Sequence, residues 1–387
     1  MTESVVVLGS GYAGAGAIQR LESELGDRAD LTWVSDQPYH LVLHEVHRCI
    51  RDPSVKEHVT IPVDEIKSPS TTFIEGRVET IDVEHRTVGF ADGESIAYDH
   101  LLVAIGSQTA FFRIDGLEEN ALTLKSLDDA LAIHDAVESE ADDATMADPA
   151  RVVVGGAGQT GVQVAGEVAA YRAEMSAPID VVLVEGLESV LPGANSAFQS
   201  AIRDRLDKRS VDVQTGNFVS SVDDDAVYFD DGRDLAYDVL VWTGGITGQR
   251  AMEDVRVTKD HKSNRLKTTT TFQTDDERVF ALGDAALVDQ PGEDPAPPNA
   301  QAAWQAADVA AENIARSIRG QPLTEWRYEN KGTVVSVGDE AVATDVLYSP
   351  IETFNGLGAE LLKKVIAARW IADVSSFSRA FSAWPNM

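Results

Sequence analysis

The sequence predicts an α/β protein made of two Rossmann-like dinucleotide-binding domains, one inserted into the other, with a C-terminal region of strands and helix. Three observations carry this. Near the start, SVVVLGSGYAG at 4–14 runs from a β-branched strand into Gly9, Gly11 and Gly14 in G-x-G-x-x-G spacing. In the middle, RVVVGGAGQTGVQVAGE at 151–167 repeats the arrangement with Gly156, Gly158 and Gly161. In such a loop the first glycine makes a tight turn, the second lets a pyrophosphate approach the backbone, and the third lets helix pack on strand, with phosphate at the helix N-terminus. Third, DGESIAYDHLLVAIG at 92–106 aligns without a gap to DGRDLAYDVLVWTGG at 231–245, so the chain carries an internal duplication. Each returning strand is expected beside its glycine loop, bringing Ala104 and Gly106 to the first nucleotide and Gly244 and Gly245 to the second.

The elements follow in order. After the first loop a helix should end near Gly26, and 31–34 reads as the second strand of a βαβ unit. An acidic residue at the end of that strand normally accepts hydrogen bonds from the adenosine ribose. Ser35 stands at that position and Asp36 follows it; Asp36 is preferred, with a turn cap as the alternative role. His40, His44, His47 and His58 lack the paired spacing of a zinc site and read as polar surface or loop residues. From Thr72 short alternating strands begin, with Asp92-Gly93 as a hairpin signal. Residues 107–150 read as a connector with an acidic, Ala-rich helix over 128–144.

In the second half, the strand at 181–184 ends at Glu185, whose carboxylate can accept both ribose hydroxyls and would repel a 2′-phosphate, which favours NADH over NADPH. A buried strand then ends in Gly283-Asp284, where a carboxylate and nearby N–H groups can meet a polyol or pyrophosphate. Asn299 is placed to cap a helix closed by Gly320. On it Gln301 and Gln305 share one face beside Trp304, facing either solvent or a pocket. The tail, 357–384, reads as one helix with Leu357, Leu361, Val365, Ala368 and Ala372 on one face. The expected limits are 1–118 with 245–325 for the first nucleotide domain, 119–244 for the inserted one and 326–387 for the C-terminal region.

The charge excludes one class of partner. Asp plus Glu number 64 against 32 for Lys plus Arg, a net charge of -32. Nucleic acid needs a basic surface, so no nucleic-acid partner is expected. Apolar residues recur along the whole chain, which argues against disorder and for a hydrated acidic surface suited to a salt-accumulating host. The single cysteine, Cys49, excludes an internal disulfide, a CxxC motif and a Cys-rich metal site. The N-terminus runs straight into a strand and no apolar run reaches a membrane span, so the expected place is the cytoplasm or the membrane surface. The tail's Lys363, Lys364, Arg369 and Arg379 outnumber Glu360 and Asp373. A basic amphipathic end suits an interfacial membrane anchor, with docking or homodimerisation as the alternative.

With these residues in place, the chain resembles the two-dinucleotide-binding-domain flavoproteins over nearly its whole length, and among them the type II NADH dehydrogenases (NADH:quinone oxidoreductases). The resemblance lies in GSGYAG at 9–14, VGGAGQTGVQVAGE at 154–167, ALGDAA at 281–286 and the AQAAWQ segment at 300–305. It implies FAD on the first loop and on Gly283 and Asp284, NADH on the second, and a membrane quinone of menaquinone type beside Gln301 and Gln305. Glu167 is a candidate proton relay or a structural hydrogen-bonding group. The implied activity is non-proton-pumping, at the inner face of the cell membrane. Ser35, Leu43-His44 and Gln163 depart from the family pattern. The alternatives are an NADH-dependent reductase of a soluble protein such as ferredoxin, and a slow NADH-binding redox sensor.

Overall fold

Each glycine loop sits at the C-terminal end of an inner strand of its own parallel sheet. In the computed structural model, which describes residues 2–386, Glu3–Leu8 pairs with Ala29–Ser35 on one side and His100–Val103 on the other. Thr72–Glu75 and Val279–Ala281 complete a five-stranded sheet. The second sheet has four strands, with Ala150–Gly155 and Ile179–Glu185 inside and Val211–Thr215 and Val239–Trp242 at its edges. Val5 to Leu8 and Val152 to Gly155 are buried without alternation, as parallel strands covered on both faces require. The last strand of the first sheet comes from beyond the second sheet. The two connecting segments meet as an antiparallel pair, Ser107–Thr109 with Ile246–Gly248.

The duplication extends further than the aligned segments. Val78–Asp82, Thr87–Phe90 and Ser95–Ala97 form an antiparallel meander, and Val219–Val222, Ala226–Phe229 and Asp234–Ala236 form another. The matching Asp-Gly turns place Gly93 and Gly232 at φ 87° and 86°, where glycine alone is unstrained.

The first-loop helix, Tyr12–Leu25, packs on Ala300–Ile318. A Cβ on Gly16 would lie 2.8 Å from the Ala307 methyl, so the Ala-rich composition of the second helix serves close helix–helix approach. The expected helix over 128–144 is Leu127–Asp143, opened by a capping box of Ser126 and Asp129. Three antiparallel strands, Thr333–Val337, Glu340–Thr344 and Thr353–Asn355, lead into the tail.

Two expectations are corrected. The tail is two helices, Leu357–Val374 and Phe377–Ala383, because the Ser376 hydroxyl accepts from the Arg379 N–H and starts a new N-terminus. The histidines are not all surface groups: His40 and His47 are buried, His44 is largely so, and none belongs to a cluster able to hold a metal among the described residues. The chain from Leu43 to Ile50 is a 3₁₀ run packed against the helices Leu127–Asp143 and Gln159–Met175, which turns His44 and His47 inward, whereas His40 lies on the short strand Tyr39–Leu41 against Tyr12 and Trp370.

Candidate functional site

The two glycine loops have the same geometry. Gly9 and Gly156 take φ 98° and 91°, and a Cβ on either would collide with the neighbouring strand end, at the Ala104 carbonyl oxygen or the Gly244 Cα. Gly14 and Gly161 pack so closely that an added Cβ would lie 1.9 Å and 1.8 Å from the carbonyl oxygens of Gly9 and Gly156. Gly11 and Gly158 differ from these: a Cβ there meets nothing within 4 Å. Both are helix N-caps in extended backbone, φ -69° each, with no side chain capping the helix. Each loop therefore leaves an open cradle in front of uncapped N–H groups, which fits a pyrophosphate.

The second cradle is completed locally. Glu185 ends its strand and accepts from the Ala157 N–H at 2.8 Å and the Leu187 N–H at 2.9 Å. Register puts Ser35 at the equivalent place in the first sheet. There a hydroxyl pair replaces the carboxylate: Ser10 and Ser35 Oγ atoms are 2.8 Å apart, and Ser10 Oγ also donates to the Tyr39 carbonyl. Asp36 is exposed just outside.

Distant parts complete the first cradle. Gly283 takes φ 67°, and a Cβ on it would touch the Ala13 methyl of the first-loop helix at 3.0 Å and that of Ala303 at 3.7 Å. The N-terminus of Ala300–Ile318, capped by Asn299 Oδ1 on the Ala302 N–H, thus arrives beside the loop. Asp284 accepts from Ser107 Oγ at 3.2 Å, and Lys125 Nζ donates to the same hydroxyl at 3.2 Å. Burial lowers the Lys125 pKa, which the Asp284 charge opposes. Gly106, at φ 71°, lies immediately before Ser107. Lys125 and Ser107 escaped the sequence reading, since neither lies in a motif.

Gln301 and Gln305 are engaged by the segment that follows their helix. Gln301 Nε2 donates to the Gly332 carbonyl, and its Oε1 accepts from Tyr328 Oη and the Lys331 N–H. Gln305 exchanges bonds with both backbone groups of Glu329. The two amides bind residues 328–332 to the first turns of the helix.

Glu167 lies 1% exposed in a buried polar row. Arg51 Nε is 3.1 Å from one oxygen and His47 Nε2 is 3.9 Å from the other. The Arg51 approach is an ion pair rather than a well-formed hydrogen bond, since that oxygen has no hydrogen-bond partner. Burial raises the Glu167 pKa, more than Arg51 and Lys363 lower it. From His47 the row continues through Ser336 Oγ at 3.1 Å to Lys363 Nζ at 2.9 Å, then to Glu45 at 3.3 Å. His44 lies 3.5 Å from Glu45 and hydrogen-bonds to the Tyr12 hydroxyl, one residue past Gly11. Lys363 comes from the tail, where only its charge drew attention in the sequence.

Burial also holds the imidazoles neutral: the His40 pKa falls from 6.5 to about 4, and those of His44 and His47 are lowered too. The unfolded chain takes up protons at these groups as pH falls below about 6.5, whereas the folded chain resists. Stability present at neutral pH is therefore lost on acidification from about 6.5 towards 4, by on the order of 3 kcal/mol for His40 alone. Denaturant titrations across that window are expected to show the midpoint falling with pH, and less steeply in a His40→Gln variant. An unchanged slope in the variant would remove His40 from this account.

The site is that of a two-nucleotide oxidoreductase, and sequence comparison gives the class: residues 3–307 match the model of the pyridine nucleotide-disulphide oxidoreductase family, and the chain belongs to it. The sequence holds a single cysteine, Cys49, which is buried with its thiol pushed up to about 12, so it has no partner for an internal redox-active pair. Among relatives, the type II NADH:quinone oxidoreductases of Staphylococcus saprophyticus and Staphylococcus aureus are each 27% identical and align over 98% of both chains. In fold the chain is similar to NDH2 from Plasmodium falciparum, solved in complex with NADH (TM-score 0.82, 17% identity, covering 100% of this chain and 98% of that one). It is also similar to the sulfide:quinone oxidoreductase of Aquifex aeolicus (TM-score 0.80, 19% identity, covering 98% and 94%).

Proposed function

We propose that the protein is an FAD-dependent NADH:quinone oxidoreductase whose electron acceptor is a membrane quinone. The carrying observation is that two cradles of equal geometry are completed unequally, one by its own Glu185 and the other by parts from 100–125 and 283–305. The first kind suits an exchangeable nucleotide and the second a resident one. The end-to-end similarity to type II NADH:quinone oxidoreductases supports the same reading.

FAD would be held by Gly9, Gly11 and Gly14, by Ser35 with Asp36 at its edge, by Ala104 and Gly106, and by Gly283 and Asp284. NADH would be held by Gly156, Gly158, Gly161, Glu185, Gly244 and Gly245. Bound FAD supplies hydride acceptance and electron release. The residues around it orient and charge the site. Asp284, steadied by Ser107, would accept hydrogen bonds from the hydroxyls of a bound polyol chain, and the N-terminus of Ala300–Ile318 would offer partial positive charge to the flavin. Gln301 and Gln305 act as positioning residues, holding 328–332 as one wall of the quinone approach. Glu167, with its raised pKa, can hold a proton at Oε1 beside His47, and the hydrogen-bonded stretch from His47 through Ser336 to Lys363, which pairs with Glu45, would pass protons between Glu167 and Glu45 once the 3.9 Å gap to His47 closes.

The test is anaerobic mixing with NADH, which is expected to bleach the flavin, followed by a menaquinone analogue, which is expected to restore its colour. Bleaching without reoxidation would sink the quinone assignment and favour a protein acceptor.

Membrane attachment rests on the tail. Leu357, Leu361 and Val365 are 85%, 54% and 45% exposed, and Phe377 and Phe381 are 85% and 83% exposed. The opposite side of the helix buries Ala359, Ala367, Trp370, Ile371 and Val374. The basic character is largely spent within the fold, since Lys363, Arg369 and Arg379 pair with Glu45, Asp373 and Glu65. The apolar face, rather than charge, is thus the binding element, and no helix of the described residues is long and apolar enough to cross a membrane. Serine at Leu357, Leu361, Phe377 and Phe381 together is expected to abolish sedimentation with neutral lipid vesicles while leaving flavin reduction by NADH unchanged. If the quadruple variant still sediments with vesicles, the tail is not the anchor.

A further inference from the structure

The C-terminal helix reaches the first glycine loop through a short hydrogen-bonded relay. Trp370, 1% exposed, donates its indole N–H to His40 Nε2 at 2.8 Å. The other ring nitrogen of His40 lies 2.7 Å from the Ser10 carbonyl oxygen. The tautomer follows from the partners. Tryptophan can only donate, so Nε2 is the acceptor; the proton is on Nδ1 and is donated to Ser10. His40 is fully buried and kept neutral, so the arrangement persists at all ordinary pH values.

Ser10 lies between Gly9 and Gly11. In a trans peptide the carbonyl and the following N–H point in opposite directions. Anchoring the Ser10 carbonyl on His40 therefore sets the direction of the Gly11 N–H at the cradle, where an added Cβ would meet open space. The Trp370 ring also covers the start of the first-loop helix: it lies 4.6 Å from the Tyr12 ring, and a Cβ on Gly16 would come within 3.5 Å of it. Gln19, one turn on, donates to the Val374 carbonyl at 2.8 Å.

We infer that the C-terminal helix is part of the FAD-binding unit, with Trp370 and His40 as positioning residues that aim the Gly11 N–H at the FAD pyrophosphate. The inference rests on the assignment of FAD to the first loop. It also means that removing the tail strips FAD from the protein as well as removing its apolar face. Membrane binding is then tested cleanly by surface substitutions and not by truncation.

The experiment measures FAD dissociation from the purified holoprotein by recovery of free-flavin fluorescence after dilution, with thermal unfolding followed in parallel. Trp370→Phe keeps the packed ring and removes the donor. His40→Leu removes both links, and His40→Gln can restore a donor and an acceptor. Trp370→Phe and His40→Leu are each expected to weaken FAD binding about tenfold, or ~1.4 kcal/mol. The double variant is expected to lose no more than the worse single one, since both break one relay. His40→Gln is expected to recover part of the loss. Trp304→Phe serves as the packing control, because Trp304 packs edge-to-face on Trp370 with ring centroids 4.9 Å apart and stands outside the relay. Unchanged FAD release in Trp370→Phe, or an equal loss in Trp304→Phe, overturns the inference. Gly11→Val, which fills the cradle, tests the underlying assignment separately. If it keeps FAD, the loop assignment fails whatever the relay variants do.

Discussion

Gly14→Ala is expected to yield a colourless protein, whereas Gly161→Ala is expected to yield a yellow one that dithionite reduces and NADH does not. The two substitutions are the same chemical change at equivalent places. Each forces a methyl to within 2 Å of a carbonyl oxygen, at 1.9 Å from Gly9 and 1.8 Å from Gly156. Neither helix can retreat, because a Cβ on Gly16 would already lie 2.8 Å from the Ala307 methyl and one on Gly166 2.6 Å from the Gly338 backbone nitrogen, and the new methyl at Gly161 would also come within 2.7 Å of Thr243 Oγ1. The loop itself must then shift, which moves its N–H groups off the phosphate. A displacement of about 1 Å lowers a rate that depends on exact placement by on the order of a hundredfold. Flavin content and the rate of bleaching by NADH check both arms. Equal flavin content in the two variants would mean that the loops are not specialised as argued.

Arg51→Met is expected to destabilise the protein by about 3–5 kcal/mol, the range for leaving a buried partner charge uncompensated. Glu167 would lose its nearest cation, while Asp339 and Glu174, which also pair with Arg51, reach solvent. Adding Glu167→Gln to that variant removes the stranded charge, so the double variant is expected to recover most of the loss. In Glu167→Gln alone, bleaching by NADH is expected to stay unchanged and reoxidation by quinone to slow. Denaturant unfolding and the two half-reactions, measured separately, check these outcomes. If reoxidation proceeds at the original rate, Glu167 is a structural partner of Arg51 and not part of the proton row.

Glu167 also illustrates what could be read in advance. Its place about two turns inside the second-loop helix, Gln159–Met175, is a matter of local spacing, but its partners are not. Arg51, His47 and Lys363 come from a 3₁₀ run and a tail helix that meet it only in the folded chain. The same division separates Glu185 from Ser35. At Glu185 the carboxylate lies at its strand end and binds the adjacent loop N–H groups. At Ser35 the acid is missing, and only the Ser10–Ser35 contact shows how that strand end is tied to the loop.

The sequence by itself determined the two glycine loops, the duplicated meanders, the Glu185 strand end and the Asn299 helix start. All are local, set by φ, by side-chain period and by caps within a few residues, so a short stretch of chain is enough to specify them. Tertiary structure decided which distant pieces finish each cradle, that the histidines of 40–47 turn inward, and that the tail breaks at Ser376. It also decided that Trp370 reaches His40 across 330 residues of chain. Such contacts depend on how sheets and helices stack, and no periodicity or spacing encodes which buried donor will meet which acceptor.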